Sequence, residues 1–451
     1  MEPQSEWMSF SDQTYYEFTT NMGAAGLKYT KNLGSGYLQL SGAIMGQQVV
    51  VQDDTVSTEG VHTLINREDF VNGRYSFSGF YNFSTNADLT FKTGFFASNL
   101  FYDLQHDSLR LTDFQEQQIM DVQGNTVLLQ PYFQMKWTAS PTVTINAGLH
   151  SMFLTLNNTY SIEPRASVIL KPGNGKNKFS LSYGLHSRMV PIGSYFTQAL
   201  DPGSETLPNL ELELIKSHHF IGAFTHNFSS ILRLRAEAYY QYLFDVPVGV
   251  DESLNYWTLN DIQGYSTQEL VSNGIGRNMG IDLIFQQSPS DKGIFFIATA
   301  SLFNSQFKMS EESEDWFNTR YNSNFSGSFS FGKDWQLQEG NRLEVGFRAI
   351  YNGGMRITPL RANTPTDNQY FPPLDFARPF EDQIQAYFRP DARVAYRHNK
   401  KTSWILALDI QNIIARRNID GLNRLFDPEL NVWVDRLQSG LTPILSFQID
   451  L

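Results

Sequence analysis

The stretch ILRLRAEAYYQY, Ile231 to Tyr242, alternates two kinds of residue: in an extended chain Leu232, Leu234, Ala236, Ala238 and Tyr240 share one face, and Arg233, Arg235, Glu237, Tyr239 and Gln241 share the other. One face is apolar and the other charged. The same split recurs where Leu343, Val345, Phe347, Ala349 and Tyr351 oppose Arg342, Glu344, Arg348 and Asn352. It recurs again with Leu89, Phe91, Phe95 and Phe101 against Asp88, Thr90, Lys92 and Ser98, and with Phe179, Leu181, Tyr183 and Leu185 against Lys178, Ser180, Ser182 and Arg188. Many of these runs exceed ten residues, about twice the usual strand of a soluble sandwich. Tilted strands that cross an apolar band of ~25 Å need that length.

About seventeen such segments are counted, and the connections between them alternate between short and mostly long. The short ones centre on Asn32 to Ser35, Thr85 to Ala87, Ala139 to Pro141, Pro172 to Asn177, Asn227 to Ser230, Pro289 to Gly293, Gln336 to Gly340 and Asn399 to Thr402. Gly, Pro, Asn, Ser and Lys dominate them, as hairpin turns require. The others include Val51 to Asp69, Tyr102 to Gly124, Pro191 to Glu211, Pro247 to Gly264, Thr358 to Asp382 and Asn418 to Asn431, with brief ones near Leu156 to Tyr160 and Met309 to Asp315. Short turns on one side of a membrane and long loops on the other are the pattern of an outer-membrane barrel. A sandwich or a propeller has no reason to sort its loops by parity, and no repeat of ~40 residues is present.

Composition agrees. Aromatic residues make up 14% of the chain and charged residues 18%, against a typical ~25% charged in soluble domains, so much of the surface is expected to face something other than water. Mean hydropathy is nevertheless −0.32. The most apolar run, Ile294 to Phe303, is about ten residues long and holds Thr299 and Ser301, too short for a transmembrane helix. The absence of cysteine removes disulfides, thiolate zinc sites and cysteine nucleophiles. A net charge of −12 without clustered Lys and Arg argues against a nucleic-acid partner.

Met1 to Phe10 has neither a basic nor an apolar stretch, so no signal peptide is expected there. If the short turns are periplasmic, the first segment, Thr14 to Lys31, runs inward from the cell surface. With an odd segment count, where bacterial single-chain barrels have an even one, the expectation over 1–451 is a partial barrel whose first strands lie upstream. The last segment places Leu445, Phe447, Ile449 and Leu451 on one face, as a closing strand does.

Several runs then carry a family resemblance. PNLELELIKSHHFIGAFTHNFSSILRLRAEAYYQYLFDVPV (Pro208 to Val248), GIGRNMGIDL (Gly274 to Leu283), TASLFNSQF (Thr299 to Phe307), NTRYNSNF (Asn318 to Phe325), YNGGMRITPL (Tyr351 to Leu360), LDIQNIIARRNIDG (Leu408 to Gly421) and the ending GLTPILSFQIDL occur in family order. Together they resemble the barrel of TonB-dependent outer-membrane receptors, in the branch whose full-length members often carry a carboxypeptidase-regulatory-like domain before the plug. The resemblance is strong over the last two-thirds and looser over the first third. Leu451 departs from the Phe with which members often finish. It implies an all-β transmembrane antiparallel barrel, about seventeen strands of a 22-stranded plugged whole. The signal peptide, the plug and the TonB contact would lie upstream.

The resemblance also implies a non-enzymatic importer in the outer membrane of a Gram-negative bacterium. Its partners would be outer-membrane lipid, TonB through the upstream part and a small solute such as a siderophore, glycan or peptide, with a surface lipoprotein as a further candidate. No cofactor is expected. The alternatives are a passive porin-like channel and a barrel enzyme, for which no convincing Ser and His spacing is found.

The residues themselves suggest two groups of candidates. Arg165, Arg188, Arg233, Arg235, Glu237, Arg348, Arg393, Arg397 and Asp409 fall on the polar, lumen or plug side, with Arg277 and Arg320 near the outer mouth. Charge is cheap on a wet wall and costs up to ~2–4 kcal/mol at the lipid midplane, so a solvated wall holding a plug explains most of them. Glu237 and Asp409 invite a hydrolase reading, but basic neighbours make charge pairing the better account. Tyr256, Trp257, Tyr370, Phe371, Phe376 and Phe380, with Phe426 and Trp433, populate the long connections and either capture a ligand or pack the loops. The glycines of GIGRNMG have the wrong spacing for a dinucleotide site and mark close backbone contact instead. His218 and His219 point to opposite faces and cannot chelate one metal.

Overall fold

The computed structural model describes residues 14–56, 60–110, 115–198, 206–261, 264–290, 292–361, 373–399, 402–427 and 432–450. The first part of the sheet is β1 (Thr14–Leu33), β2 (Gly36–Val56), β3 (His62–Ser84), β4 (Leu89–Arg110), β5 (Gln115–Ser140), β6 (Val143–Leu154), β7 (Thr159–Leu170) and β8 (Asn177–Arg188). It continues with β9 (Ile215–Asn227), β10 (Leu232–Gly249), β11 (Leu270–Gln287), β12 (Ile294–Lys308), the stub β13 (Phe317–Asn318), β14 (Phe325–Gln336) and β15 (Arg342–Asn352). Then come β16 (Arg356–Ile357), β17 (Asp382–Gln383), β18 (Tyr387–Asn399), β19 (Ser403–Gln411), β20 (Ile419–Asp427), β21 (Val432–Leu437) and β22 (Thr442–Asp450).

Eighteen of these form one sheet, with β16–β17 and β20–β21 as separate two-stranded sheets. Setting aside the two-residue β13, the sheet has seventeen long strands, each antiparallel to its neighbour in chain order. This is a transmembrane antiparallel β-barrel sheet. It is open among the described residues: β1 pairs only with β2, and β22 only with β19. Because seventeen is odd, β1 and β22 run in the same sense. Pairing them directly would be parallel, so antiparallel closure needs an odd number of added strands.

Register separates two faces along every long strand. Leu234 lies opposite Phe285 and His226, whereas Arg235 lies opposite Ile284 and Thr225. Phe347 sits between Phe331 and Ala392, whereas Arg348 sits between Ser330 and Asp391. The apolar face stays uncovered: Leu181 is 72% exposed, Leu445 72%, Leu302 66%, Phe447 63% and Ile281 53%. Exposed side chains of that size across a whole sheet face would aggregate in water and are satisfied only by lipid. Aromatic contacts such as Phe228 with Phe285 and Trp404 with Phe447 lie at the short-turn end of the same face, where a membrane-interface girdle sits.

The short turns fall where the sequence places them, but two of the expected long loops are strand. Val51 to Asp69 continues β2 and β3 around a short connection, and Tyr102 to Gly124 continues β4 and β5. Asn418 to Asn431 likewise contains part of the β20–β21 hairpin. Strands β2 to β5 run 21 to 26 residues, about twice the 9–11 that cross a membrane. Above the bilayer no lipid face imposes alternation, so the period-two signal fades while backbone pairing persists. By contrast β6, β7 and β8, at 12 residues each, barely span.

The buried core lies at the long-connection end, on the polar face. Tyr102 and Leu104 of β4, Met120 of β5, Val246 of β10 and Phe307 of β12 are covered by Tyr195 and other residues of the connections. The connection after β8, with the 3-10 turn η1 (Ile192–Phe196), brings Phe196 to 4.9 Å from Tyr102. Loops therefore fold inward over the mouth.

Candidate functional site

The connection between β10 and β11 is built by local chemistry. Asp251 Oδ1 accepts from Ser253 N at 3.0 Å and from Ser253 Oγ at 2.6 Å, starting the short turn η2 (Glu252–Leu254), and Asn255 ends it in the left-handed region at φ 44°. A second turn, η3 (Thr258–Asn260), follows Trp257. The Trp257 indole is 2% exposed and stacks on Phe307 with centroids 5.0 Å apart. It lies over two glycines of GIGRNMG: a Cβ on Gly274 would meet Trp257 Cζ3 at 2.6 Å, and one on Gly276 would meet Cζ2 at 3.1 Å. Here only glycine lets the ring approach the strand. At Gly280 the corresponding contact is the Tyr239 hydroxyl, at 2.6 Å.

A cavity of about 300 Å³ opens beside this loop. Tyr256, Trp257, Phe376 and Phe380, four of the eight loop aromatics singled out in the sequence, line it together with Arg320. Tyr370 and Phe371 lie outside the described residues, as does the Phe426 side chain. The loops are tied across it by Asn255 Nδ2 donating to Phe376 O at 2.9 Å. Arg320 places its guanidinium over the Phe380 ring, 5.6 Å from the centroid. Burial, then the Asp261 carboxylate that accepts from its hydroxyl at 2.6 Å, pushes the Tyr256 phenol up.

Sequence reasoning missed Arg356, Asn260, Asp261, Asp420 and Asp435, which also line this space. Irregular loops carry no periodicity that would have marked them. Arg356 is fixed by three donations: Nε to Asn322 O at 3.1 Å, NH1 to Glu381 O at 2.9 Å and NH2 to Asn324 Oδ1 at 3.0 Å.

The polar-face candidates are spread along the wall and do not converge on one point. Arg165 NH2 donates to Glu163 at 2.7 Å, and Arg393 NH1 to Asp409 at 2.6 Å; Arg235 bonds Glu237. Glu237 and Asp409 are thus each held by an arginine. Arg188, Arg233, Arg348 and Arg397 share this face, and among the described residues none has a carboxylate within ion-pair distance. Arg277 lies on the other face, beside Tyr242 and Gln306, with its guanidinium 4.0 Å over the Trp316 ring. Glu163 is 1% exposed and also bonded by His150 Nδ1 at 2.9 Å, Ser161 Oγ at 2.9 Å and Ser187. His218 and His219 point apart, the first to Tyr183 and the second to His186.

With this geometry in view, solved structures supply the comparison. The ferric-catecholate import receptor Fiu from E. coli K12 superposes with a TM-score of 0.67 over 97% of the chain, at 11% identity. BauA, the ferric preacinetobactin receptor from Acinetobacter baumannii, gives 0.63 over 98% at 12% identity, and the ferric yersiniabactin uptake receptor FyuA from Yersinia pestis 0.66 over 96% at 10%. The fold is that of an outer-membrane receptor barrel. The chain spans 64%, 64% and 62% of these three proteins' own lengths. No protein-family model matches the sequence, and no curated protein matches it.

Proposed function

We propose that this chain is the barrel part of a TonB-dependent receptor in a Gram-negative outer membrane, importing a scarce solute such as a siderophore, glycan or peptide. A plug and a TonB contact would be supplied by the upstream portion. The observation that carries this reading is the joint one of a lipid-facing apolar wall, a charged inner wall, and loops folded inward over the mouth around a cavity. Solved barrels of this shape are named as ferric receptors and uptake proteins, which supports an import role. Five added strands would bring seventeen to about the 22 of plugged transporters, and five is odd, as antiparallel closure requires.

On this reading Arg188, Arg233, Arg348 and Arg397 meet the acidic side of a plug inside the lumen, and Tyr256, Phe376 and Phe380 meet the solute. A surface lipoprotein over the mouth is compatible with the inward loops. A passive channel fits less well, because residues such as Trp257, Tyr195 and Phe307 fill the mouth where a pore would be open. No catalytic step is assigned. The test is uptake of labelled ferric chelates, oligosaccharides and peptides by cells carrying or lacking the full-length protein. Saturable uptake that stops when TonB is removed is expected, and uptake indifferent to TonB would overturn the importer reading.

A further inference from the structure

A charged side chain on the lipid side of a barrel needs a reason. Arg277 shares the apolar face of β11 with Met279, Ile281, Leu283 and Phe285, where charge is costly at the midplane and tolerated only towards an interface. Its height supplies the reason. Phe285 marks the short-turn end of this face, and the eight residues from there to Arg277 are about 27 Å of strand, or ~20 Å across the membrane at a tilt of ~40°. Arg277 therefore stands at the level of the outer headgroups. Its guanidinium lies over the Trp316 ring and donates through Nε and NH2 to Gln306 Oε1 at 3.1 and 2.6 Å, while NH1 has no partner among the described residues. Lys308, whose Nζ lies 5.6 Å from the same ring, also has no carboxylate within ion-pair distance among those residues. Lys216 on this face differs, being paired with Asp245 at 2.7 Å. The exposed acids Glu311, Glu312, Glu314 and Asp315 belong to the connection beyond Lys308.

On the membrane side of Arg277 the apolar face is not flat. Across β8 to β11 one row reads Leu181, Gly222, Ala238, Ile281. Leu181 and Ile281 are 72% and 53% exposed and stand out from the sheet, and the small residues between them leave a trench. In the next row towards the short turns Ala236 again lies between two large residues, Phe224 and Leu283. Two apolar hollows of about 620 and 510 Å³ share Val168, Leu181, Gly222 and Ala238, so the trench is continuous. Tyr240 lines its outer end, one step along the face from Tyr242, the residue opposite Arg277. A trench this narrow in a lipid-facing wall suits a hydrocarbon chain, and the unpaired cation past its outer end suits an anion carried by the same molecule. A free phosphate would leave the trench unused, and a neutral lipid would leave Arg277 without a counter-charge.

We infer that the trench and Arg277 together hold one acyl lipid of the outer leaflet that bears a phosphate on its headgroup. A chain lies along Gly222, Ala236 and Ala238, and the phosphate takes the free NH1 of Arg277 with Lys308 close by. The site is on the outside of the barrel and is independent of what passes through it.

Native mass spectrometry of the full-length protein in mild detergent tests this, with lipid A added either with its phosphates or after their removal. The phosphorylated lipid is expected to be retained at about tenfold or more lower concentration than the dephosphorylated one. Arg277→Gln should abolish that preference and Arg277→Lys restore part of it, whereas Ala238→Phe, which fills the trench, should weaken retention of both lipids. Equal retention of the two lipids by the unaltered protein, a measurement that needs no variant, overturns the inference. So does a phosphate preference that survives in Arg277→Gln, or retention by Ala238→Phe as strong as in the parent. Each of these outcomes leaves the importer reading in place, which only the TonB test above decides.

Discussion

Tyr265 and His106, 159 positions apart, meet in a hydrogen bond of 2.8 Å that ties the β10–β11 connection to the part of β4 standing above the membrane. His106 Nε2 also lies 2.7 Å from Asn66 Oδ1, an acceptor, so Nε2 carries a proton.

Burial pushes the His106 imidazole below its ordinary value of 6.5, although Glu68 and Asp107 pull the other way. Below about pH 6.5 the unfolded chain therefore binds a proton that the folded mouth resists. The contribution is fully present above that pH and is lost as pH falls towards the folded value. Hydrogen exchange across 264–270 should quicken on going from pH 7.5 to pH 5, and His106→Gln should flatten that dependence. A rate unchanged by pH in the unaltered protein would contradict the arrangement.

Trp257 and Gly274 supply a second prediction. In Gly274→Ala the new methyl meets Trp257 Cζ3 at 2.6 Å and Val246 O at 2.7 Å, an overpacking that costs about 1–3 kcal/mol. The loop should come away from the strand, and limited proteolysis should cut within 250–261 faster than in the parent. Trp257→Ala should open the same segment, since deletion of a buried tryptophan costs about 3–5 kcal/mol.

Neighbouring positions on β14 separate the two environments. Phe329 is 41% exposed on the apolar face between Ala298 and Ala349, and Ser328 on the polar face bonds Thr299 at 2.8 Å. Phe329→Arg should lower unfolding stability in bilayers by about 2–4 kcal/mol, whereas Ser328→Arg should change it by about 1 kcal/mol or less. Equal losses on denaturant titration would mean that both faces see the same medium.

Glu163 is the acceptor shared by His150, Arg165, Ser161 and Ser187. Glu163→Ala leaves these donors without a common partner and should cost about 2–4 kcal/mol. Glu163→Gln, which keeps the shape, should recover part of that loss in the same denaturant titration.

How much of this was readable in the sequence depends on what each residue faces. Leu234 against Arg235 and Phe347 against Arg348 are legible because lipid on one side and water on the other impose a period of two. Val51 to Asp69 and Tyr102 to Gly124 were illegible as strand because both faces there meet water or loops, so pairing leaves no apolar trace. Trp257 could be ranked as a loop aromatic, but its burial over Gly274 comes from the meeting of distant segments. Asn260 and Arg356 gave no signal, since their roles depend on loop backbones that fold over the mouth.

The chain contains no cysteine, so single replacements report without background. Leu234→Cys, Arg235→Cys, Phe347→Cys and Arg348→Cys, each in the full-length protein in its native membrane with the lumen accessible, can be treated with a membrane-impermeant maleimide. Modification at 235 and 348 with protection at 234 and 347 is the expected result. Reaction at all four sites alike would contradict the division of every long strand between lipid and a wet interior.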